Sequence, residues 1–151
     1  MRYLLGSISY EAEALEAPSP FTQALGLSQD DLEAYEPLAG AHAYTAFLAT
    51  TAAYGSAAEM AGAFVIDLEG WGSNCRAMSR IFKRRYGFSE GDVSFFDHFG
   101  AEDPDFEPRS LAIVEAGLAA GVEPRAIRRT ARLMLEYELM YWDAIHEAST
   151  T

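Results

Sequence analysis

Two carboxylates stand where the helical pattern of this chain demands apolar side chains. Stepping by three and four along the last stretch gives Ile127, Ala131, Met134, Glu138, Tyr141 and Ile145, a core-facing stripe with Glu138 in its middle. A second stripe, Met60, Phe64, Asp67, Trp71, Asn74, Met78 and Ile81, carries Asp67 in the same way. An unpaired carboxylate in an apolar interior is costly, so the group shifts its pKa towards the neutral form or acquires a partner. A positioned carboxyl group with a shifted pKa can serve as general acid, general base or hydrogen-bonding anchor. The same spacing fits a structural role, in which each carboxylate is paired with Arg or bonded to Tyr or Trp. The stretch 60–82 is apolar on nearly all sides, which places it in the middle of a domain and favours a pocket over a surface pair.

Aromatic residues accompany both carboxylates. Trp71 follows Asp67 by one helical turn, and Tyr137, Tyr141 and Trp142 surround Glu138. Tyr44, with Phe47 and Leu48, lies on a further helical stretch. Aromatic walls with a few carboxylates suit a flat, polar, nitrogen-rich ring, although aromatics at helical spacing also build ordinary cores. A metal reading rests on Glu69, His98, Glu102 and Asp105. The last three step by four and three and would share a face if the helix continued, as in non-haem iron sites. Gly100 and Pro104 interrupt that segment, an acidic solvated loop explains it as well, and no metal site is favoured. Cys75 lies on a different stripe from Asp67 with no histidine near it in sequence, which reads as a buried structural thiol.

The elements that must position these groups are helices. Helical patterns cover 2–16, a short segment from Ser19-Pro20 to Gly26, another from Ser28 to Tyr35, and 42–54. Ser56-Ala57-Ala58-Glu59 is a capping box that opens a long helix to Tyr86, with Gly87 closing it and Gly70 and Gly72 suggesting a kink or a close helix contact. A segment opened by Ser89 follows, with Phe95, Phe96 and Phe99 on its core face. Helices over about 108–120 and 124–148 complete the chain. Strand alternation is almost absent, and no repeat or linker interrupts the 151 residues. The expectation is one all-α domain, 1–151, of about seven helices.

Composition narrows the function. A formal net charge of −12 disfavours nucleic acid and anionic membrane surfaces. The one basic cluster, Arg76, Arg80, Lys83, Arg84 and Arg85, falls near a helix end, where cations suit the dipole. A single cysteine excludes an internal disulfide and a cysteine-based zinc site. No apolar run is long enough to cross a bilayer and the N-terminus lacks a signal core, so a cytoplasmic location is expected.

Four stretches in order, GLSQDDLEAYEP, AYTAFL, GSAAEMAGAF and YELMYWDAIHEA, resemble the TenA/thiaminase II family and its wider relatives, the PQQ-synthesis-protein-C-like proteins. The likeness runs from about Gly26 to Ala148. It implies the haem-oxygenase-like all-α bundle, here truncated at the N-terminus, and a pocket that holds an aminopyrimidine. In thiaminase II-like enzymes a cysteine nucleophile and a glutamate hydrolyse a C–N bond. By this resemblance Tyr44 matches the pocket tyrosine, Glu138 the glutamate, Asp67 the cysteine position, Trp71 a tyrosine one turn later, and Phe95 or Phe96 a further pocket aromatic. The acid in place of cysteine is similar to a subgroup of the family in which an acidic residue activates water.

The resulting expectation is a protein that binds an aminopyrimidine or similar small heterocycle without a cofactor. Asp67 and Glu138 are its catalytic candidates, and Tyr44, Trp71, Phe95, Phe96 and Tyr141 its ligand-binding candidates. Two other readings stand beside it: a non-catalytic binding or assembly subunit, and an iron oxidase of the same fold group. An uncapped apolar helix face at Met1, Tyr3, Leu4, Leu5 and Ile8 implies a homo-oligomer through the N-terminal helix.

Overall fold

The structure, a computed structural model, describes residues 18–150. The helix expected over 2–16, and the subunit contact assigned to its apolar face, lie outside these residues. Seven α-helices follow in order: α1 Pro18–Ala24, α2 Gln29–Glu33, α3 Ala39–Tyr54, α4 Ala57–Ile81, α5 Ser94–Gly100, α6 Phe106–Ala119 and α7 Pro124–Thr150. A π-helical turn, Phe82–Tyr86, continues α4. No strand occurs among the described residues, as the missing alternation implies, and none of their helices is long and apolar enough to cross a membrane.

Local chemistry sets the boundaries. Ser28 and Asp31 form a reciprocal capping box at α2. Ser56 and Glu59 form another at α4: the Ser56 backbone N–H donates to Glu59 Oε2 at 2.9 Å, and the Glu59 N–H donates to Ser56 Oγ at 3.2 Å. The second box is tied into the fold, because Thr130 Oγ1 on α7 donates to Glu59 Oε1 at 3.2 Å. These bonds, led by the Ser56 backbone N–H, hold the Glu59 carboxyl below its ordinary pKa. Pro124 opens α7, where its missing N–H costs nothing. Gly87 closes the π turn at φ +75°, in the left-handed region that favours glycine.

Two elements differ from the sequence pattern. Helix α3 starts at Ala39, three residues before His42, because the extended stretch around Pro37 ends at Leu38, which already acts as its N-cap. Ser89 caps a turn rather than a helix, its Oγ accepting from the Asp92 N–H at 3.2 Å, and α5 begins only at Ser94. Helix α4 runs from Ala57 to Ile81 through Gly70 and Gly72, and of the two roles open to these glycines the close helix contact is seen at Gly72, where a Cβ would lie 3.1 Å from the Phe99 carbonyl oxygen of α5.

The chain divides into two compact units. One holds residues 70–102 with the segment up to Tyr35, and its core joins Cys75, Val93 and Phe96 to the rings of Phe21, Trp71, Phe82, Phe88, Phe95 and Phe99. Helix α1 packs on α5 there, with Phe21 edge-on to Phe96 at a centroid distance of 5.0 Å. Cys75 is buried in this cluster, as expected of a structural thiol.

The other unit holds residues 36–69 and 103–151. Here α3 packs along α7, and Ala58, Met60, Ala61, Ala63, Ile127, Ala131 and Met134 are buried. The α3–α7 contact is close enough to require a glycine. A Cβ on Gly40 would fall 2.8 Å from the Met140 carbonyl oxygen and 2.9 Å from Ala144 Cβ. In an isolated helix Gly→Ala is stabilising by about 1 kcal/mol, whereas here the added methyl meets backbone that cannot yield cheaply. We expect Gly40→Ala to destabilise the fold by about 1–3 kcal/mol in urea denaturation. A stabilised variant would show that the two helices are not in this contact.

Candidate functional site

Both anomalous carboxylates are buried in the second unit. On α7 the stripe Ile127, Ala131, Met134 and Glu138 is buried, and burial ends beyond it, with Tyr141 half-buried and Ile145 exposed. Glu138 therefore occupies the last buried position of the stripe, 7% exposed. On α4 Asp67 is 0% exposed.

Each carboxylate has one aromatic donor. The Tyr44 hydroxyl, on α3, donates to Asp67 Oδ2 at 2.8 Å. The Trp142 indole Nε1 donates to Glu138 Oε1 at 3.0 Å, one turn along α7. Asp67 Oδ1 is buried and has no hydrogen-bond partner among the described residues. The two donors belong to a chain of ring contacts: Tyr44 and Tyr141 lie 5.9 Å apart by centroid and Tyr141 is edge-on to Trp142 at 5.1 Å, while Phe47 packs on Tyr137 at 4.9 Å.

The electrostatics follow from this geometry. Burial strips Asp67 of water and pushes its pKa up to about 6. The Tyr44 hydrogen bond opposes the shift, and the negative charge of Glu138 adds to it. Tyr44, Asp67 and Glu138 thus form one electrostatic group. Asp67 exchanges its proton near neutral pH, a condition for efficient proton transfer. Its Oδ1 atom is an acceptor poised for an N–H or O–H that the described residues do not supply.

Trp71, Phe95 and Phe96 belong to the first unit, where Trp71 stands edge-on to Phe99 at 6.3 Å and Phe95 edge-on to Phe96 at 5.3 Å. Helix α5 ends at Gly100, so His98, Glu102 and Asp105 do not continue along one helical face. Among the described residues no three His, Cys, Asp or Glu side chains gather to hold a metal ion. The bond from Tyr44 to Asp67 is the feature missed by periodicity, because it links residues 23 apart in sequence. The bond from Trp142 to Glu138 was accessible to it, since the two residues are spaced by four.

This all-α chain with a buried acidic pair belongs to the TENA/THI-4/PQQC family, which it matches over residues 4–148. Its fold class is the haem-oxygenase-like helical one of that family. Comparisons with curated proteins and with solved structures gave no match.

The raised pKa has a thermodynamic consequence. A carboxyl whose folded pKa is about 6 against an ordinary 3.8 binds its proton more tightly in the folded state. Its stabilising contribution is complete below the unfolded value and is lost as pH rises through about 6. The loss is on the order of 3 kcal/mol. We expect wild-type stability to carry this fall between about pH 4 and 7, and Asp67→Asn to lack it, by paired urea denaturation across that range. Parallel pH profiles for the two proteins would show that Asp67 does not titrate in this way.

Proposed function

We propose that the protein binds an aminopyrimidine or a closely related small heterocycle at Asp67 and Glu138. The observation that carries this reading is the fully buried Asp67, bonded through Oδ2 to Tyr44 and with Oδ1 unsatisfied among the described residues. A protonated or amino-bearing ring offers N–H donors at the spacing of two neighbouring carboxylates, and an aromatic wall matches its faces. In this reading Tyr44 fixes the Asp67 carboxyl, Trp142 fixes that of Glu138, and Tyr141 packs beside the ring. Family membership supports the choice of ligand class, since the TenA-like members it resembles act on aminopyrimidines.

Asp67 also suits hydrolysis. A carboxylate at the position of the family's cysteine favours activation of water over a covalent enzyme intermediate. As ionised base, Asp67 accepts a proton from water while the water oxygen bonds to the exocyclic carbon and the C–N bond breaks, and it passes that proton to the departing nitrogen, which leaves as the neutral amine. Glu138 holds the ring through its amino group. The product alcohol and the released amine fit a salvage step for thiamine precursors. The match over 4–148 supports reading the chain as a single domain of the family. A homo-oligomer in a reducing cytoplasm completes the proposal, resting on the apolar N-terminal residues and the single buried cysteine.

Two measurements test this. Calorimetric titration with aminopyrimidine products of thiamine breakdown should show saturable binding, weakened at least tenfold by Glu138→Gln. Turnover of the same compounds should rise with pH through about 6, as Asp67 ionises, and fall by roughly 100-fold or more in Asp67→Asn. Binding without turnover would identify a non-catalytic binding subunit. Absence of binding would overturn the ligand assignment itself.

A further inference from the structure

Five of the chain's eleven Lys and Arg residues lie between Arg76 and Arg85, a segment with no acidic residue, in a protein of net charge −12. Arg76, Ser79, Arg80, Lys83 and Arg84, with Asp97 from α5, line an open groove of about 250 Å³ in the first unit. The internal partners of these cations are uneven. Arg76 Nη1 donates to the Gly100 carbonyl oxygen at 3.0 Å. Lys83 Nζ lies 2.8 Å from Glu90 Oε2 and 3.6 Å from Asp97 Oδ2. Ser79 Oγ donates to the other oxygen of Asp97. The one acidic side chain in the groove is therefore already engaged, by a hydrogen bond from Ser79 on one oxygen and an ion pair with Lys83 on the other.

Arg80 and Arg84 differ. Both are exposed, one turn apart on the groove wall, and neither has a hydrogen bond or ion pair among the described residues. Like charges at this spacing repel along a helix. The helix dipole accounts for cations in the terminal turns, Arg80 in α4 and Lys83 to Arg85 in the π turn, but its effect fades within a turn and does not reach Arg76. The π turn matters here as well. Its i→i+5 bonding, closed by the Gly87 N–H to the Phe82 carbonyl oxygen, changes the helical phase between Arg80 and Arg84, and such turns recur at functional sites.

We propose that this groove binds a small anion of the phosphate class, held between the guanidinium groups of Arg80 and Arg84 with Lys83 beside them. Planar guanidinium forks match phosphate oxygens bidentately. An anion between them converts their mutual repulsion into two charge-assisted contacts. The remainder of the chain repels anions at long range, so binding is confined to this groove, and an extended polyanion such as nucleic acid is disfavoured. None of the residues proposed for the heterocycle takes part, so the two proposals stand independently.

The test uses the full chain and inorganic pyrophosphate, titrated by calorimetry at fixed ionic strength against sodium chloride. Saturable binding with a Kd below about 1 mM is expected. It should weaken at least tenfold in the double variant Arg80→Ala, Arg84→Ala, with helical circular dichroism unchanged because both side chains are exposed. The charge-preserving variant Arg80→Lys, Arg84→Lys should weaken binding to an intermediate degree, since the fork geometry is lost and the charge retained. The inference is overturned if pyrophosphate fails to saturate at matched ionic strength, if the double alanine variant binds as well as wild type, or if single-stranded DNA binds more tightly than pyrophosphate.

Discussion

The burial of Asp67 is the constraint around which the second unit is arranged. A carboxyl group at 0% exposure cannot be left to chance: it must be bonded, neutralised or both. Tyr44 on α3 supplies the single bond to Oδ2 and ties α3 to α4 at that point. Helix α7 then lies along α3, close enough at Gly40 that a methyl group would meet backbone. That approach brings Tyr141 beside Tyr44. Glu138 follows from the same stripe of α7, and its charge makes the ionisation of Asp67 harder still. One buried acid thus links three helices through a hydrogen bond, a ring contact and a charge.

Such an arrangement is poorly suited to stability. Replacing Asp67 with an apolar residue of similar volume would remove a desolvation cost and an unsatisfied oxygen atom. Retention of the acid is intelligible if the protein uses a proton acceptor near neutral pH, since functional sites commonly sacrifice stability in this way. The contrast with Glu59 is instructive. That carboxylate is also tied between two helices, but the Ser56 backbone N–H holds it ionised, and its bonds to Ser56 and Thr130 account for both oxygens. Glu59 is a cap that fastens α4 to α7, whereas Asp67 keeps an open acceptor.

Much of this was legible in the sequence. Periodicity located both carboxylates in apolar stripes, the Ser56 capping box located the start of α4, and missing alternation gave the all-α class. The fold failed to follow the sequence where local signals compete. Gly70 and Gly72 allow either a kink or a close helix contact, and the choice at Gly72 is made by the approach of Phe99, a tertiary contact that periodicity does not contain. Ser89 has the chemistry of a helix cap but caps a turn. For the site, the spacing of four between Glu138 and Trp142 reveals one hydrogen bond, while the partnership of Tyr44 with Asp67 depends on how α3 meets α4. Trp71 follows Asp67 along the same helix, and its packing against the aromatic core around Cys75 and Phe96 is a contact that spacing alone does not give. Sequence spacing specifies the face of a helix, not which neighbour that face meets.

The central claim is that Asp67 is a buried, titrating acid whose proton affinity is set by burial first and by Glu138 in addition. The most direct measurement is a carbon-13 NMR titration of the Asp67 side-chain carboxyl in the wild-type protein and in Glu138→Gln. The account predicts a midpoint of about 6 in the wild type and a lower one once the Glu138 charge is removed. A midpoint in the ordinary aspartate range near 3.9, unchanged by Glu138→Gln, would contradict it.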